Sequence, residues 1–134
     1  MKITEIKKRL AAFAAARNWN QFHSPKNLSM GLAAEAAELL EIFQWLTEKQ
    51  SVEIAGNQKE MGHIKEEIAD VFIYLIRLAD KLNVDIEKAV FEKMELNEMR
   101  YPVELSKGDA TKYSRRQCTN AVIASKKQKK SRHN

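Results

Sequence analysis

The sequence predicts an all-α fold with a four-helix bundle-type protomer. Only four Gly and two Pro occur in 134 residues, so the chain has few of the turn residues that a β fold requires. Apolar residues recur three and four positions apart through four long segments, which is the period of an amphipathic helix. Short polar stretches join these segments, as they do in a compact helical bundle.

Four helices follow from this periodicity and from the residues at their ends. We expect Ser24-Pro25 to stop the chain after the first helix, and Asn27 or Ser29 to cap the second. Asn83 is expected to cap the third helix, and the fourth should end before Pro102. The predicted helices cover about residues 3–17, 27–49, 60–82 and 85–100, with a polar loop at 50–60 and an irregular extension after residue 100.

Charge is unevenly distributed along the chain. Residues 114–134 hold seven Lys or Arg and no acid, so removing them from the net charge of +5 leaves −2 for residues 1–113. We therefore expect one domain at 1–113 and a basic, disordered tail at 114–134, with nucleic-acid binding by that tail as the weaker alternative. Cys118 is the only cysteine, which excludes an intrachain disulfide. Neither a signal peptide nor a membrane-length apolar run is visible, so a cytoplasmic protein is expected.

Two apolar helical segments carry acids at three-residue spacing. These acids are Glu35, Glu38 and Glu41 on the first segment, and Glu67 and Asp70 on the second. Side chains three apart are neighbours on a helix, and like charges there are destabilising unless a cation compensates. Residues 31–48 contain no Lys or Arg. Since the surrounding residues are apolar, a bound metal ion is the compensation that we favour over a solvated charged face.

The type of ligand indicates the type of metal. Di-iron bundles use Glu-x-x-His motifs, whereas here the position three after the acid is Glu38 or Asp70. An all-oxygen set favours Mg²⁺, with Mn²⁺ possible, and Mg²⁺ usually keeps open positions for water and substrate phosphates. The predicted ligands are Glu35, Glu38, Glu67 and Asp70. The predicted chemistry is phosphoryl transfer.

Aromatic and basic side chains near these acids suggest a nucleotide. Trp45 lies seven residues after Glu38, and Tyr74 lies seven after Glu67. Seven residues are about two helical turns, or roughly 10 Å, which is about the separation between a nucleotide's phosphates and its base. Both rings could instead be ordinary core. On the fourth helix, one face carries candidate phosphate-binding groups, namely Lys93, Asn97 and Arg100.

Taken together, these stretches resemble the MazG-like superfamily of all-α nucleoside triphosphate pyrophosphohydrolases, in particular its dCTP pyrophosphatase branch. The resemblance covers about residues 3–113 and is carried by FAAARNWNQFHSPKNL, EAAELLEIFQW, KEEIADVFIYLIRLA, KMELNEMRYPVE and KYS. Many members have two consecutive acids at the start of the first motif, whereas Ala34 precedes Glu35 here, a reduction that the dCTP branch shares.

The resemblance implies a Mg²⁺-dependent homotetramer that converts a dCTP-like nucleotide to monophosphate and pyrophosphate. It also implies that Trp19 and His23 join Trp45 and Tyr74 as nucleotide-pocket residues. As a hypothesis, Glu38 or Glu41 is the general base that activates the attacking water, and the residues leave that choice open. The alternative is a non-catalytic helical interaction bundle with a nucleic-acid-binding tail, although the acidic body makes nucleic acid an unexpected partner.

Overall fold

A computed structural model describes residues 3–115, and these residues form helices and turns without a strand. The predicted all-α class is confirmed. The chain divides into two compact units, Met1–Ile86 and Glu87–Asn134, and each is described by itself. The bundle arrangement of the four predicted helices and the domain boundary at residue 113 therefore stay predictions. Apart from its first two residues, the predicted basic tail lies outside the described residues, and so does Cys118.

In the first unit, α1 covers Ile3–Ala16, close to the prediction. Asn18 then takes a left-handed backbone conformation with φ of 55°, which Asn tolerates better than most residues, and a single 3₁₀ turn follows at Trp19–Gln21. The next helix, α2, covers Pro25–Phe43. Ser24 Oγ accepts a hydrogen bond from the Asn27 backbone N–H at 3.1 Å. The prediction of Ser24-Pro25 as a stop was wrong, because Ser at the N-cap and Pro at the first helical position begin a helix.

The prediction of a polar loop at 50–60 is also wrong, since this stretch contains helical residues. α3 covers Glu48–Glu53 and a 3₁₀ turn follows at Ile54–Gly56. Thr47 and Gln50 form a capping box: the Gln50 side chain accepts from the Thr47 N–H at 2.9 Å, and Thr47 Oγ1 accepts from the Gln50 N–H at 3.3 Å. α2 ends at Phe43 rather than near Lys49, and this cap starts a separate helix.

The longest helix, α4, covers Gln58–Lys81 and is capped at both ends. Asn57 Oδ1 accepts from the N–H groups of the first turn. At the other end, Asn83 adopts φ of 53°, and the Val84 N–H donates to the Ala79 carbonyl, which together form a Schellman cap. The predicted role of Asn83 as a cap is confirmed.

α2 and α4 pack against each other and run antiparallel. Gly31 of α2 lies beside Tyr74 of α4, whereas further along α2 a carboxylate oxygen of Glu38 lies within 4.8 Å of one of Glu67, so the numbering of the two helices runs in opposite directions. α1 contacts α4 as well. The buried apolar side chains come from all three helices, and they are Ala14, Leu28, Ile64, Ile76 and Ala79.

α5 covers Ile86–Arg100, as predicted, and all of it after Ile86 belongs to the second unit. A short α6 follows at Val103–Ser106, in the stretch predicted to be irregular. Pro102 precedes α6, so the proline separates two helices. The Arg100 guanidinium lies 5.5 Å from the ring centroid of Tyr113. No helix of the described residues is long and apolar enough to cross a membrane.

Candidate active site

Three carboxylates from two helices meet where α2 faces α4. Glu35 and Glu38 come from α2 and Glu67 comes from α4, and one oxygen of each lies within 4.8 Å of the others. Three-residue spacing directs the two α2 acids to the same side of that helix. The antiparallel contact then supplies the third acid from α4. Sequence spacing predicted the acids of α2 and the acids of α4 separately, and the packing of the two helices brings them together.

Carboxylates from both helices repel one another at this cluster. Partial burial, followed by the charges of Glu38, Asp70 and Glu67, raises the pKa of Glu35. Burial also raises the pKa of Glu67, as do the nearby carboxylates of Glu38, Asp70 and Glu66, while His63 acts in the opposite direction. Asp70 lies outside the group of three, and its side chain lines one cavity together with Glu35.

Glu67 also has an oxygen atom that lacks a hydrogen-bond partner. Its Oε2 atom is shielded from solvent and accepts no hydrogen bond. Among the ion pairs of residues 3–115, none involves Glu35, Glu38, Glu67 or Asp70. An uncompensated set of oxygen ligands at this spacing fits a hard divalent cation such as Mg²⁺. Three of the four acids predicted as ligands, Glu35, Glu38 and Glu67, are therefore suitably arranged, and the role of all four as ligands stays a prediction.

A cavity of about 440 Å³ adjoins one side of the cluster. Glu35 and Asp70 line it together with several apolar side chains. Three of the predicted pocket residues, Trp19, His23 and Tyr74, line the same cavity. The structure thus brings together residues that are more than 50 positions apart in sequence.

Rings form one wall of this cavity. The ring centroids of Phe13 and Trp19 are 5.7 Å apart in an edge-to-face arrangement, and those of Trp19 and His23 are 6.3 Å apart. Across the cavity, Tyr74 lies so close to the α2 backbone that a β-carbon on Gly31 would overlap its ring. Glycine at this position lets the two helices approach and places the tyrosine beside the acids.

A second, more open cavity of about 670 Å³ lies on the other side of the cluster. Glu38 and Glu67 line it together with Glu41, Ile42 and His63. The two candidates for general base, Glu38 and Glu41, therefore share this cavity, and both are exposed. The geometry leaves the choice between them open.

Trp45 lies in a different place from the one that the sequence predicted. α2 ends at Phe43, so Trp45 lies beyond the helix and does not share a helical face with Glu38. Its side chain is 86% exposed. The prediction that seven-residue spacing orients this ring was therefore wrong, because the spacing rule applies only within a helix. Its role in binding nucleotide stays a prediction without that support.

Lys93, Asn97 and Arg100 all lie on α5, as predicted, and belong to the second unit. Lys93 and Asn97 are exposed, and Arg100 is half-buried beside Tyr113. Their predicted contact with substrate phosphates stays a prediction.

Arg77 is the residue of this site that the sequence analysis missed. It lines the cavity together with Trp19 and His23. It stands alone as a cation in the apolar stretch VFIYLIRLA, seven residues after Asp70. A charged residue within an apolar helical stretch was the available signal, because such a residue requires buried partners.

A helical fold in which unpaired carboxylates adjoin an aromatic cavity defines a class of proteins, and the chain belongs to the MazG-like family. The profile of that family matches residues 32–115. The match covers more than half of the chain and includes all four predicted metal ligands.

Particular relatives carry more specific names. The chain is 45% identical to dCTP pyrophosphatase 1 of Rattus norvegicus and 40% identical to that of Homo sapiens, each over 112 residues. These alignments cover 84% of this chain and 66% of the relatives, so the chain spans just under two thirds of their length. The crystal structure of a pyrophosphatase from Archaeoglobus fulgidus is similar with a TM-score of 0.71 and 42% identity, over 76% of this chain and 94% of that one.

Proposed function

We propose that the chain is a Mg²⁺-dependent nucleoside triphosphate pyrophosphohydrolase. Its proposed substrate is dCTP or a similar pyrimidine deoxynucleotide, and its products are the monophosphate and pyrophosphate. The observation that carries the proposal is the cluster of Glu35, Glu38 and Glu67 next to a cavity lined by aromatic rings. The names of the relatives support the choice of nucleotide and reaction.

The four acids Glu35, Glu38, Glu67 and Asp70 hold the metal in this proposal. Their oxygens are hard ligands, which favours Mg²⁺ and allows Mn²⁺. When bound, the ion neutralises charge on the triphosphate and helps to activate water. Burial and mutual repulsion raise the pKa of Glu35 and Glu67, so a bound cation would favour the ionised form of both groups.

The aromatic cavity binds the nucleoside. Its volume of about 440 Å³ falls within the usual range for small-molecule sites. Trp19 and Tyr74 offer flat apolar faces to a base, and His23 offers a polar group. Trp45, whose ring is largely exposed, is a further candidate for stacking on the base.

The reaction needs a proton acceptor and a place for the phosphates. Glu38 or Glu41 accepts the proton of the attacking water on the open side of the cluster, and the bond between the α- and β-phosphates breaks in line. Lys93, Asn97 and Arg100 neutralise or orient the phosphates.

A homo-oligomer, a tetramer or a dimer, is the proposed assembly. Large apolar side chains are exposed on α2 and α5, among them Met30, Leu40, Phe91 and Met99. Exposed apolar side chains in such numbers favour association with another surface.

One experiment tests the reaction directly. Purified protein is incubated with Mg²⁺ and a panel of ribo- and deoxynucleoside triphosphates, and the products are separated. We expect monophosphate and pyrophosphate, with dCTP among the best substrates. Release of orthophosphate and diphosphate would show a different hydrolase, and no turnover of any nucleotide would leave a binding protein.

A further inference from the structure

Arg77 occupies an unusual environment on α4. Among the side chains that the structure describes, it is the one charged residue that is buried, with 5% of its surface exposed. It also lines the cavity that contains Trp19, His23 and Tyr74. A buried guanidinium is costly unless it makes well-formed hydrogen bonds, so its partners indicate its role.

Those partners connect three parts of the first unit. Nη1 donates to Asp80 Oδ2 at 3.2 Å within α4. Nη2 donates to Asn20 Oδ1 at 3.1 Å, in the 3₁₀ turn 57 positions earlier in the sequence. Asp80 also pairs with Lys7 of α1 at 3.1 Å. The planar guanidinium thus ties the Trp19–Gln21 turn to α4, and the same network reaches α1.

The second contact of Nη2 is with His23. Nη2 lies 3.5 Å from His23 Nδ1. An arginine can only donate hydrogen bonds, so a hydrogen bond at this contact requires Nδ1 to be the acceptor and to carry no proton. A neutral imidazole with an unprotonated Nδ1 carries its proton on Nε2. This contact therefore selects one of the two tautomers.

The charges around His23 have the same effect. Burial, followed by the positive charges of Arg77 and Lys81, lowers the pKa of His23. The nearest acid in the network, Asp80, is shared between Arg77 and Lys7. Protonation would place a third cation beside two others and would remove the acceptor for Arg77, so the neutral ring is favoured near pH 7.

We propose that Arg77 is a positioning residue of this pocket, which fixes the Trp19–Gln21 turn and holds His23 as the neutral Nε2–H tautomer. His23 then offers one hydrogen-bond donor, its Nε2–H, to a ligand that carries an acceptor, such as a carbonyl or ring nitrogen of a base. Arg77 acts through Asn20 and His23 rather than on the reacting atoms. The identity of the ligand as a nucleotide rests on the proposed function, whereas the tautomer does not.

The wild-type protein without substrate provides the first test. Long-range ¹H–¹⁵N spectra distinguish the protonated from the unprotonated ring nitrogen of each histidine, and a His23→Gln variant assigns the signals. At about pH 7 we expect His23 to be neutral with its proton on Nε2, and to titrate below the ordinary histidine value of 6.5. A proton on Nδ1, or a doubly protonated ring at that pH, overturns the proposal.

An Arg77→Met variant provides the second test, and Arg9→Met is its matched control, since Arg9 is exposed on α1. We expect Arg77→Met to raise the KM for dCTP by about 10-fold while kcat changes much less, and to raise the pKa of His23. Arg9→Met should change none of these values. An unchanged KM in folded Arg77→Met protein contradicts the proposal.

Two further comparisons keep the test decisive. Combining Arg77→Met with His23→Gln should raise KM less than the product of the two single effects, since Arg77 acts partly through His23, and fully independent effects contradict that link. If Arg77→Met does not fold, Asn20→Ala cuts the link to the turn alone, and an unchanged KM there is the contradicting outcome. Should the wild type release no pyrophosphate, the proposed function fails, and the tautomer still decides the role of Arg77.

Discussion

Single residues at this site are defined by the partners that they lack. Glu67 belongs to a set of carboxylates without an ion pair among the described residues, and its Oε2 accepts no hydrogen bond. Arg77 shows the opposite case, because a buried cation is held by an acid and an amide. The carboxylates lack a neighbouring positive charge, whereas the Arg77 guanidinium has partners for both of its terminal nitrogens and leaves only its buried Nε without one.

Replacing Glu67 with Gln removes a ligand charge with little change in shape. We expect turnover under saturating Mg²⁺ to fall by more than about 100-fold, since even residues behind metal ligands cost 10- to 100-fold when they are changed. Steady-state release of pyrophosphate measures this. Glu66→Gln, at the exposed neighbouring position on α4, is the matched control and should stay within about 2-fold of wild type. Wild-type turnover of Glu67→Gln would contradict the assignment of the metal site.

The metal-free protein should lose stability as the pH rises. The pKa of both Glu35 and Glu67 lies above the ordinary value of 4.5, so the folded state holds protons that the unfolded state releases. The free energy of unfolding therefore falls as the pH rises from about 4.5 through the raised values. Urea denaturation in EDTA at several pH values measures it. The variant with Gln at both positions should show a flatter dependence, whereas Glu95→Gln should match the wild type.

At the scale of helices, the contact between α2 and α4 creates the site. Two antiparallel helices present acids at three-residue spacing to each other, and a glycine allows them to approach. Capping residues decide where these helices stop. α2 ends at Phe43 and the Thr47–Gln50 box begins α3, so Trp45 lies between the two helices.

Adding a methyl group at Gly31 should separate the two helices. Its β-carbon would overlap the Tyr74 ring, so we expect Gly31→Ala to destabilise the protein by about 1–3 kcal/mol. Gly62→Ala is the matched control on α4, where no atom lies within 4 Å of the new carbon. That change should stabilise the helix by about 0.5–1 kcal/mol. Urea denaturation of both variants gives the comparison, and equal effects would show that Gly31 is not tightly packed.

Trp45→Ala tests the exposed ring beyond α2. If Trp45 stacks on the base, its loss should raise KM by about 10-fold with little change in kcat, since stacking on an aromatic ring contributes about 1–3 kcal/mol per base. Steady-state kinetics with dCTP provides the measurement. Val52→Ala, at another strongly exposed apolar position, is the control. A fall in kcat with an unchanged KM would assign Trp45 a different role.

At the scale of the whole molecule, most of the helical content followed from the sequence. Apolar periodicity predicted α1, α4 and α5 with small errors at their ends. The errors at Ser24 and in the stretch 50–60 arose where caps start helices, because a single Ser-Pro or Thr-Glu-Lys-Gln can begin a helix as readily as it can mark a loop. Periodicity measures the interior of a helix and says little about its ends.

The assembled molecule should be larger than one chain. Light scattering after size-exclusion chromatography should give at least twice the chain mass of 15.4 kDa, with four copies as the expected number. Phe91→Glu, which places a charge at an exposed apolar position on α5, should lower that mass while circular dichroism remains helical. A monomeric wild type would contradict the proposed assembly.

The sequence by itself determined that this protein is all-α and that unpaired acids recur on two of its helices. Local spacing carries that information, because residues three apart on a helix are neighbours in any fold. Only the tertiary structure decided that Glu67 joins Glu35 and Glu38, that Trp45 lies outside α2, and that Arg77 reaches Asn20 and His23. The contacts of Glu67 and Arg77 depend on how separate helices and turns pack, and no local pattern encodes a distance between residues that are tens of positions apart in sequence.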